Sequence, residues 1–190
     1  MSEERLVEQR ITKLEELKKL GINPYPCFFD QKNHTKDILE KYTKLKNEEK
    51  TTDSVAVAGR IMSLRSMGKA AFGHIQDADG RIQFYIKKDE VGEENYKLFS
   101  LLDLGDIVGI SGTVFKTKTG EISVWTKEIT ILTKALRPLP EKWHGLKDTE
   151  IRYRQRYLDL VINQEMKDVF IKRAEIIDAM REFLISRNYI

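Results

Sequence analysis

The sequence has 190 residues, a formal net charge of +3 and a single cysteine, Cys27. One cysteine excludes an internal disulfide framework and any zinc site built from several cysteines, and the widely separated histidines show no metal-ligand spacing, so we expect no structural metal. The charge is too balanced to indicate nucleic-acid binding by itself. The charged start MSEERLVEQR and the lack of a long apolar run indicate neither a signal peptide nor a membrane span, so we expect a cytosolic protein without a membrane partner.

The N-terminal third is predicted to be helical. Residues 3–20 carry apolar side chains at a helical spacing, and Gly21 is placed to end that helix. The two prolines of GINPYPCFF predict an extended segment after it. We then expect a short helix near 36–46 with Thr35 as its cap, followed by a polar linker at 47–53.

The period of the sequence changes to two between Val55 and Leu132, which predicts β-strands. We expect a first strand at VAVAGRIMSL with a bulge or bend at Gly59, a hairpin of 70–76 and 81–87, a helix over 90–102, a fourth strand at DIVGISGTVF, and a fifth at EISVW that EITIL continues or completes. Five strands with a helix between the third and the fourth follow the order of an OB-fold barrel. The predicted fold class is therefore α+β, with N-terminal helices, a five-stranded OB-fold β-barrel and further helices.

The hairpin is the clearest local signal. Asp77-Ala78-Asp79-Gly80 is typical of a turn, and pairing residue 76 with residue 81 places two aromatic rings, an imidazole and polar groups on the non-core face. The main members of that face are Phe72, His74, Gln83 and Tyr85. This mixture suits stacking on an unpaired base and bonding to its edge. An ordinary solvated sheet face is the alternative, and a slip of one residue would move Phe72 into the core.

Two basic segments, Arg65 to Lys69 and Lys116 to Lys118, are predicted as loops beside that face. Their cationic members are candidates for phosphate contacts: Arg65, Lys69, Lys116 and Lys118. Solubility alone would also explain these lysines.

The last third is predicted to begin with a linker, 135–147, and to continue with helices. TEIRYRQRYLDLVIN has a helical period, and its arginines are expected to pair with carboxylates of a partner domain rather than with RNA. A last helix over 167–187 carries an apolar stripe of Phe170, Ile177, Met180 and Leu184. Because this helix runs into the opening residues of a strand, we expect the sequence to be part of a longer chain. The predicted domains are 1–53, 54–134, 135–147 and 148–190.

Several of these segments, in this order, resemble the N-terminal part of class II lysyl-tRNA synthetases. GINPYP, MGKAAFGHIQDADGRIQFYI and the run from FKTKTGEISV to LTKALRPLPEKWHGLKDTEIRYRQRYLDLVIN carry the resemblance. The tail RAEIIDAMREFLISRNYI resembles the start of class II motif 1. The related aspartyl and asparaginyl enzymes share the barrel and a similar RYLDL element, whereas GINPYP and LTKALRPLP are more typical of the lysine enzyme.

The resemblance implies that the barrel binds the tRNA(Lys) anticodon. In that family the residue at the position of Phe72 stacks on the central base, the one at Gln83 bonds a base edge, and those at Glu121 and Arg65 also contact the anticodon. Motif 1 implies a homodimer, with the 167–187 stripe at its interface. The family joins lysine to tRNA using ATP and Mg²⁺, through motifs 2 and 3, which this sequence does not contain. We therefore expect this chain to bind tRNA without catalysis.

Three other interpretations remain open at this point. In the first, the chain is part of an aspartyl- or asparaginyl-type synthetase. In the second, it is a non-catalytic module of the same fold that binds single-stranded nucleic acid. In the third, residues 136–190 serve mainly for oligomerisation.

Overall fold

The computed structural model describes residues 3–140, 146 and 148–189, which form two compact units, Met1–Pro138 and Leu139–Ile190. The alternating residues of the first unit build a closed barrel with the strand order β1-β2-β3-β5-β4. Its elements in chain order are α1 (Glu3–Lys19), α2 (Thr35–Lys41), β1 (Lys50–Met67), β2 (Ala70–Gln76), β3 (Arg81–Lys87), α3 (Lys88–Ser100), β4 (Ile107–Lys116) and β5 (Ile122–Thr133). The predicted OB-fold with N-terminal helices is confirmed.

The register predicted for the hairpin is confirmed as well. Phe72 pairs with Tyr85 and His74 with Gln83 across β2 and β3. The other face of the hairpin is apolar and fills the barrel, with Ile75, Ile82, Phe84 and Ile86 almost completely buried. Because side chains alternate between the two faces of a strand, this burial holds Phe72 on the outer face.

Several details of the predicted strands and helices were wrong. The residues 47–53 are not all linker, because β1 already begins at Lys50. Arg65 likewise belongs to β1 and not to a loop, and it pairs with Phe72. The pairing of β1 is irregular between Ile61 and Ser63 towards β2 and between Lys50 and Ser54 towards β4, so Gly59 is not the bulge.

Gly59 instead provides room for the neighbouring strand. A Cβ atom at this position would lie 2.8 Å from the backbone oxygen of Gln76, closer than side-chain carbons approach. The glycine is therefore needed for close strand packing and not for a change of register.

The second helix is shorter than predicted, and its cap is different. α2 ends at Lys41, with His34 as its N-cap, and Thr35 is already helical. The Thr35 hydroxyl donates to Oδ1 of Asp77 over 2.7 Å, and its backbone N–H donates to Oδ2 over 2.8 Å. The carboxylate of Asp77 thus joins the hairpin turn to the start of α2.

The N-terminal extension is held against the end of β5 by polar contacts. Arg10 of α1 donates to the backbone oxygens of Ala135 and Arg137 over 3.0 and 2.9 Å. The N–H of Lys134 donates to the oxygen of Pro24 over 3.3 Å, and the Tyr25 hydroxyl donates to the oxygen of Lys134 over 3.2 Å. The segments GINPYP and LTKALRPLP therefore contact each other directly.

The second unit is helical, with α4 (Thr149–Arg154), α5 (Arg156–Ile162) and α6 (Gln164–Ser186). The predicted single helix over 149–163 is divided at Gln155, whose φ of −117° and ψ of 56° are not helical. The division brings Arg152 and Arg156 onto one carboxylate, Asp159, which is fully buried. The arginines therefore pair with a carboxylate as predicted, but with one of their own segment.

The buried carboxylate of Asp159 is kept ionised by its partners. Arg152 Nε donates to Oδ1 over 2.8 Å, and Asn163 Nδ2 donates to the same atom over 2.6 Å. Burial alone would raise the pKa of Asp159, but the hydrogen bonds from Asn163, Arg152 and Arg156 and the charge of Arg152 hold it below its ordinary value.

The predicted stripe of α6 is open to solvent in the described part of the chain. Phe170, Ile177, Met180 and Leu184 are 37, 43, 61 and 44% exposed. In the described residues, moreover, none of the helices combines the length and the apolar character needed to cross a membrane.

Candidate nucleic-acid interface

One arginine and three aromatic side chains form a row across the outer face of the barrel, over β1, β2, β3 and β5. We call this row the aromatic rung. The strand pairing places them in line, because each residue is the register partner of the next: Arg65, Phe72, Tyr85 and Trp125. The ring centroids of Phe72 and Tyr85 are 4.7 Å apart, and those of Tyr85 and Trp125 are also 4.7 Å apart. The rings brace one another and leave Phe72 at the end nearest to Arg65.

The far end of the aromatic rung is closed by a cation. The ammonium of Lys50 lies 3.1 Å from the centre of the Trp125 ring, and Phe115 packs edge-on against the same ring with centroids 5.2 Å apart. A stacking ligand therefore meets the rung at Phe72, since the Trp125 ring is covered.

A polar rung lies beside the aromatic rung, two residues along each strand. Its members are also successive register partners: Ser63, His74, Gln83 and Ser123. Glu121, just before β5, reaches this rung with both carboxylate oxygens. Its Oε1 lies 2.8 Å from Nε2 of His74, and its Oε2 accepts from Nε2 of Gln83 over 2.7 Å.

The hydrogen bonds of the polar rung have a defined direction. A carboxylate only accepts, so His74 donates from Nε2 to Glu121. With the ring in its neutral form, Nδ1 then accepts from the Ser63 hydroxyl over 2.8 Å, while the oxygen of Ser63 accepts from Arg81 over 3.1 Å. On the other side, Ser123 donates to Oε1 of Gln83 over 2.8 Å. The carboxylate of Glu121 therefore accepts one hydrogen bond from His74 and one from Gln83.

A groove of about 610 Å³ runs along these side chains. It is lined by members of both rungs and by the turn that follows β4, including Arg65, Phe72, His74, Gln83 and Lys118. The lining therefore combines the ring of Phe72, the polar side chains of His74 and Gln83, and the cations Arg65 and Lys118. This is the composition of surfaces that hold an unpaired base and its phosphates.

The predicted basic residues have different environments. Arg65, Lys69 and Lys118 are exposed. Lys116 is turned the other way, because its ammonium donates to the backbone oxygens of Leu45 and Thr43 over 2.9 and 3.4 Å. Its ammonium therefore fastens the segment after α2 to the end of β4.

Sequence reasoning missed three residues of this face: Ser63, Ser123 and Trp125. Ser63 lies on β1, the strand before the hairpin, and pairs with His74. Its position on the predicted first strand was the one indication of this in the sequence. Ser123 and Trp125 depend on the parallel pairing of β3 with β5, which brings together strands that are far apart in the chain. No local pattern in the sequence gives that register.

The turn at the foot of the hairpin brings together potential metal ligands from His34, Asp77 and Asp79. Asp77 also accepts hydrogen bonds from the N–H groups of Asp79 and Gly80, over 2.8 and 2.9 Å. Although burial opposes ionisation, bonds from Thr35 and from these amides hold the pKa of Asp77 below its ordinary value of 3.8. The carboxylate is already used in holding the turn.

Two family models match the sequence. The tRNA anticodon-binding family, described as an OB-fold nucleic acid binding domain, matches residues 55–132. The class II tRNA synthetases of the D, K and N type match residues 148–190.

Curated relatives match along the whole chain. It is 50% identical over 185 residues to a lysine–tRNA ligase of Carboxydothermus hydrogenoformans, covering 97% of this chain and 37% of the relative. It is 51% identical over 189 residues to the lysine–tRNA ligase of Moorella thermoacetica, covering 100% and 38%, and 48% identical over 194 residues to that of Oceanobacillus iheyensis, covering 100% and 39%. The chain therefore spans less than two fifths of the length of these relatives.

Proposed function

We propose that this chain, a member of the lysyl-tRNA synthetase family, binds the anticodon loop of tRNA(Lys) through the two rungs on the outer face of its barrel. The observation that carries the proposal is the position of Phe72, which stands at the open end of the aromatic rung and beside the hydrogen-bonding groups of the polar rung. A base stacked on this ring has its edge within reach of Gln83.

Stacking supplies affinity in this proposal. The face of an aromatic ring accepts any base, and each stacked base typically contributes about 1–3 kcal/mol. Tyr85 packs behind Phe72 and keeps its ring from folding away. The ordered ring reduces the conformational entropy that binding would otherwise cost.

The polar rung supplies recognition of the base edge. Gln83 offers both an N–H donor and a carbonyl acceptor, and we assign it and Glu121 to the anticodon bases, with His74 in the same network. Arg65, Lys69 and Lys118 are exposed around this surface, and we assign them to phosphates or to the edges of flanking bases.

The activity of the longer enzyme, attachment of lysine to tRNA with ATP and Mg²⁺, is also a proposal. We assign no residue of this chain to ATP or Mg²⁺, because the resemblance implies that the residues that bind them belong to motifs outside this chain. The cluster of His34, Asp77 and Asp79 does not fit such a role, since Asp77 is already held by Thr35 and the turn amides. This chain is proposed to position tRNA.

The exposed apolar stripe of α6 is proposed to lie at the subunit interface of a homodimer of the longer enzyme. Its support is the exposure of Phe170, Ile177, Met180 and Leu184, apolar side chains that gain stability when covered. We expect weak self-association of this chain at high concentration, measurable by light scattering.

Binding of an anticodon stem-loop tests the proposed function. The full 190-residue chain is titrated with a tRNA(Lys) stem-loop and with the same loop carrying a changed central base. We expect the lysine loop to bind more tightly, and Phe72→Ala to lose about 1–3 kcal/mol of that binding. Phe28→Ala is the matched control, because Phe28 is 80% exposed on the same unit and lies outside both rungs.

Equal binding of both loops, with no effect of Phe72→Ala, would contradict the proposal. Tight binding with a steep salt dependence but no base preference would indicate a general single-strand binder of the same fold.

A further inference from the structure

The turn between β4 and β5 carries Glu121 to the polar rung. Residues 117–121 close this turn, because the N–H of Gly120 donates to the oxygen of Thr117 over 2.9 Å and the N–H of Thr117 donates to the oxygen of Glu121 over 2.9 Å. Gly120 has a φ of +89°, the left-handed conformation that a three-residue hairpin connection requires at its last position. The turn therefore sets where the backbone of Glu121 lies.

The side chain of Thr117 adds a further bond to the same residue. Its Oγ1 accepts from the N–H of Glu121 over 2.9 Å and lies 3.0 Å from Oγ1 of Thr119. The N–H and the oxygen of Glu121 are thus both bonded to Thr117, while the Ser123 hydroxyl lies 3.3 Å from that oxygen as well. A threonine hydroxyl that bonds a nearby backbone amide is a common device for fixing a turn.

The start of the turn is held by the segment between α2 and β1. The backbone of Lys116, just before Thr117, accepts from the N–H of Glu48 over 2.9 Å and donates to the oxygen of Glu49 over 3.0 Å. Thr117 therefore follows a fixed point of the chain, and its hydroxyl extends that hold across the turn to Glu121.

The carboxylate of Glu121 depends on a fixed backbone for its place in the groove. The side chain is 46% exposed, yet Oε1 lies 2.8 Å from Nε2 of His74 and Oε2 lies 2.7 Å from Nε2 of Gln83. An exposed glutamate has several rotatable bonds and gives up conformational entropy to keep two such contacts at once. A shift of its backbone would lengthen both hydrogen bonds and release the carboxylate into solvent.

We propose that Thr117 is a positioning residue for anticodon binding, which acts by holding Glu121 where it meets the RNA. The inference rests on the proposed function, which assigns Glu121 to the anticodon bases. A carboxylate that is already in place binds without the cost of ordering a loose turn. Thr117 contributes through its hydroxyl oxygen, which is occupied by the backbone of Glu121.

The test measures binding of the tRNA(Lys) anticodon stem-loop to the full 190-residue chain at one salt concentration. Thr117→Val keeps the branched shape of the side chain and loses the hydroxyl oxygen. We expect it to bind about three- to tenfold more weakly, the effect of losing one hydrogen bond that orders the site. Thr117→Ser retains the oxygen and is expected to bind within about twofold of the wild type.

Thr12→Val is the matched control for the loss of a threonine hydroxyl. Thr12 is exposed on α1, outside both rungs, and its hydroxyl also bonds the backbone, donating to the oxygen of Glu8 over 3.0 Å. This variant should bind the stem-loop as the wild type does.

A double-mutant cycle with Glu121→Ala separates positioning from direct contact. If Thr117 acts through Glu121, Thr117→Val weakens binding in the wild-type chain but changes the binding of Glu121→Ala by less than about twofold. An equal loss in both backgrounds would mean that Thr117 contacts the RNA itself or only stabilises the turn, and the inference would be wrong. Equally weak binding by Thr117→Ser and Thr117→Val would also overturn it, because the hydroxyl oxygen would then not be responsible.

The same measurements distinguish a failure of this inference from a failure of the proposed function. Binding that depends on Phe72 but is unaffected by Thr117→Val overturns this inference only. If the wild type does not bind the stem-loop, or binds it without regard to Phe72 and the central base, the proposed function is overturned and this inference with it.

Discussion

The ammonium of Lys134 lies 2.7 Å from Oδ2 of Asp106, and both side chains have no exposed surface. The same ammonium donates to Oδ2 of Asp103 over 2.6 Å and to the backbone oxygen of Leu101 over 2.9 Å. Asp106 in turn accepts from the N–H of Ala135 over 2.7 Å. The end of β5, the loop before β4 and the segment after the barrel are therefore joined by one buried network.

We expect Lys134→Met to destabilise the first unit by about 3–5 kcal/mol, because it leaves the buried carboxylate of Asp106 without its counter-charge. Urea unfolding followed by circular dichroism measures the change in the free energy of unfolding. The matched control is Lys32→Met, whose ammonium lies 3.7 Å from Asp30 with both side chains more than 60% exposed. Such a surface pair should change stability by less than about 1 kcal/mol, and a similar cost for the two variants would contradict the prediction.

The hairpin turn is expected to lose stability in acid through Asp77. Its pKa is lowered in the folded protein, so it contributes stability above its ordinary value of 3.8 and loses that contribution as the pH falls through the folded value. Asp77→Asn should therefore cost about 1–3 kcal/mol near neutral pH, and the difference from wild type should shrink below about pH 4. Urea unfolding at a series of pH values measures it, and a difference that grows in acid would contradict the assigned sign.

Two lysines two residues apart, Lys116 at the end of β4 and Lys118 in the turn after it, are expected to behave differently in RNA binding. Lys118 is exposed and lines the groove, so Lys118→Ala should weaken binding of the tRNA(Lys) stem-loop and of the loop with a changed central base alike, and reduce the slope of log K against log salt by about 0.7–1. Lys116→Ala should leave the slope unchanged and cost about 1 kcal/mol of stability instead, since its ammonium is bonded to Leu45 and Thr43. Equal reductions of the slope would show that both lysines contact phosphates.

Local patterns predicted the hairpin because all its determinants are close in sequence. A turn rich in aspartate and glycine sets the pairing of 76 with 81, and the alternating apolar side chains then decide which face is buried. These two signals suffice to place Phe72, His74, Gln83 and Tyr85 on one face. Their assignment to RNA stays a prediction.

Contacts between residues far apart in the chain could not be predicted from such local patterns. Glu121 was selected only through the resemblance, because its position against His74 and Gln83 depends on the pairing of β3 with β5. The linker predicted at 47–53 contains the start of β1 because this polar stretch is paired to β4 on one side, where Lys50 is opposite Phe115. A strand at the rim of a barrel needs few apolar residues, so its sequence resembles a loop.

Asp159 is expected to hold together the two short helices of the second unit. α4 has six residues and α5 has seven, and isolated helices of this length are not stable in water. Asp159→Ala removes the acceptor shared by Arg152, Arg156 and Asn163 and leaves the arginines without their buried partner. Since a loss of about 1.4 kcal/mol changes an opening equilibrium tenfold, we expect amide protection between 149 and 163 to fall at least about tenfold in hydrogen-exchange mass spectrometry.

The control for this prediction is Asp178→Ala in α6, whose carboxylate pairs with Arg181 while the two side chains are 64 and 65% exposed. An exposed pair three residues apart on a helix contributes only a few tenths of a kcal/mol, so protection of 149–163 should not change. Because arginine side chains also contact RNA phosphates in many complexes, the stem-loop affinity of Asp159→Ala is also informative. Unchanged affinity with lost protection would assign these arginines to folding, whereas protection that survives would show that helix packing, and not the buried carboxylate, stabilises this segment.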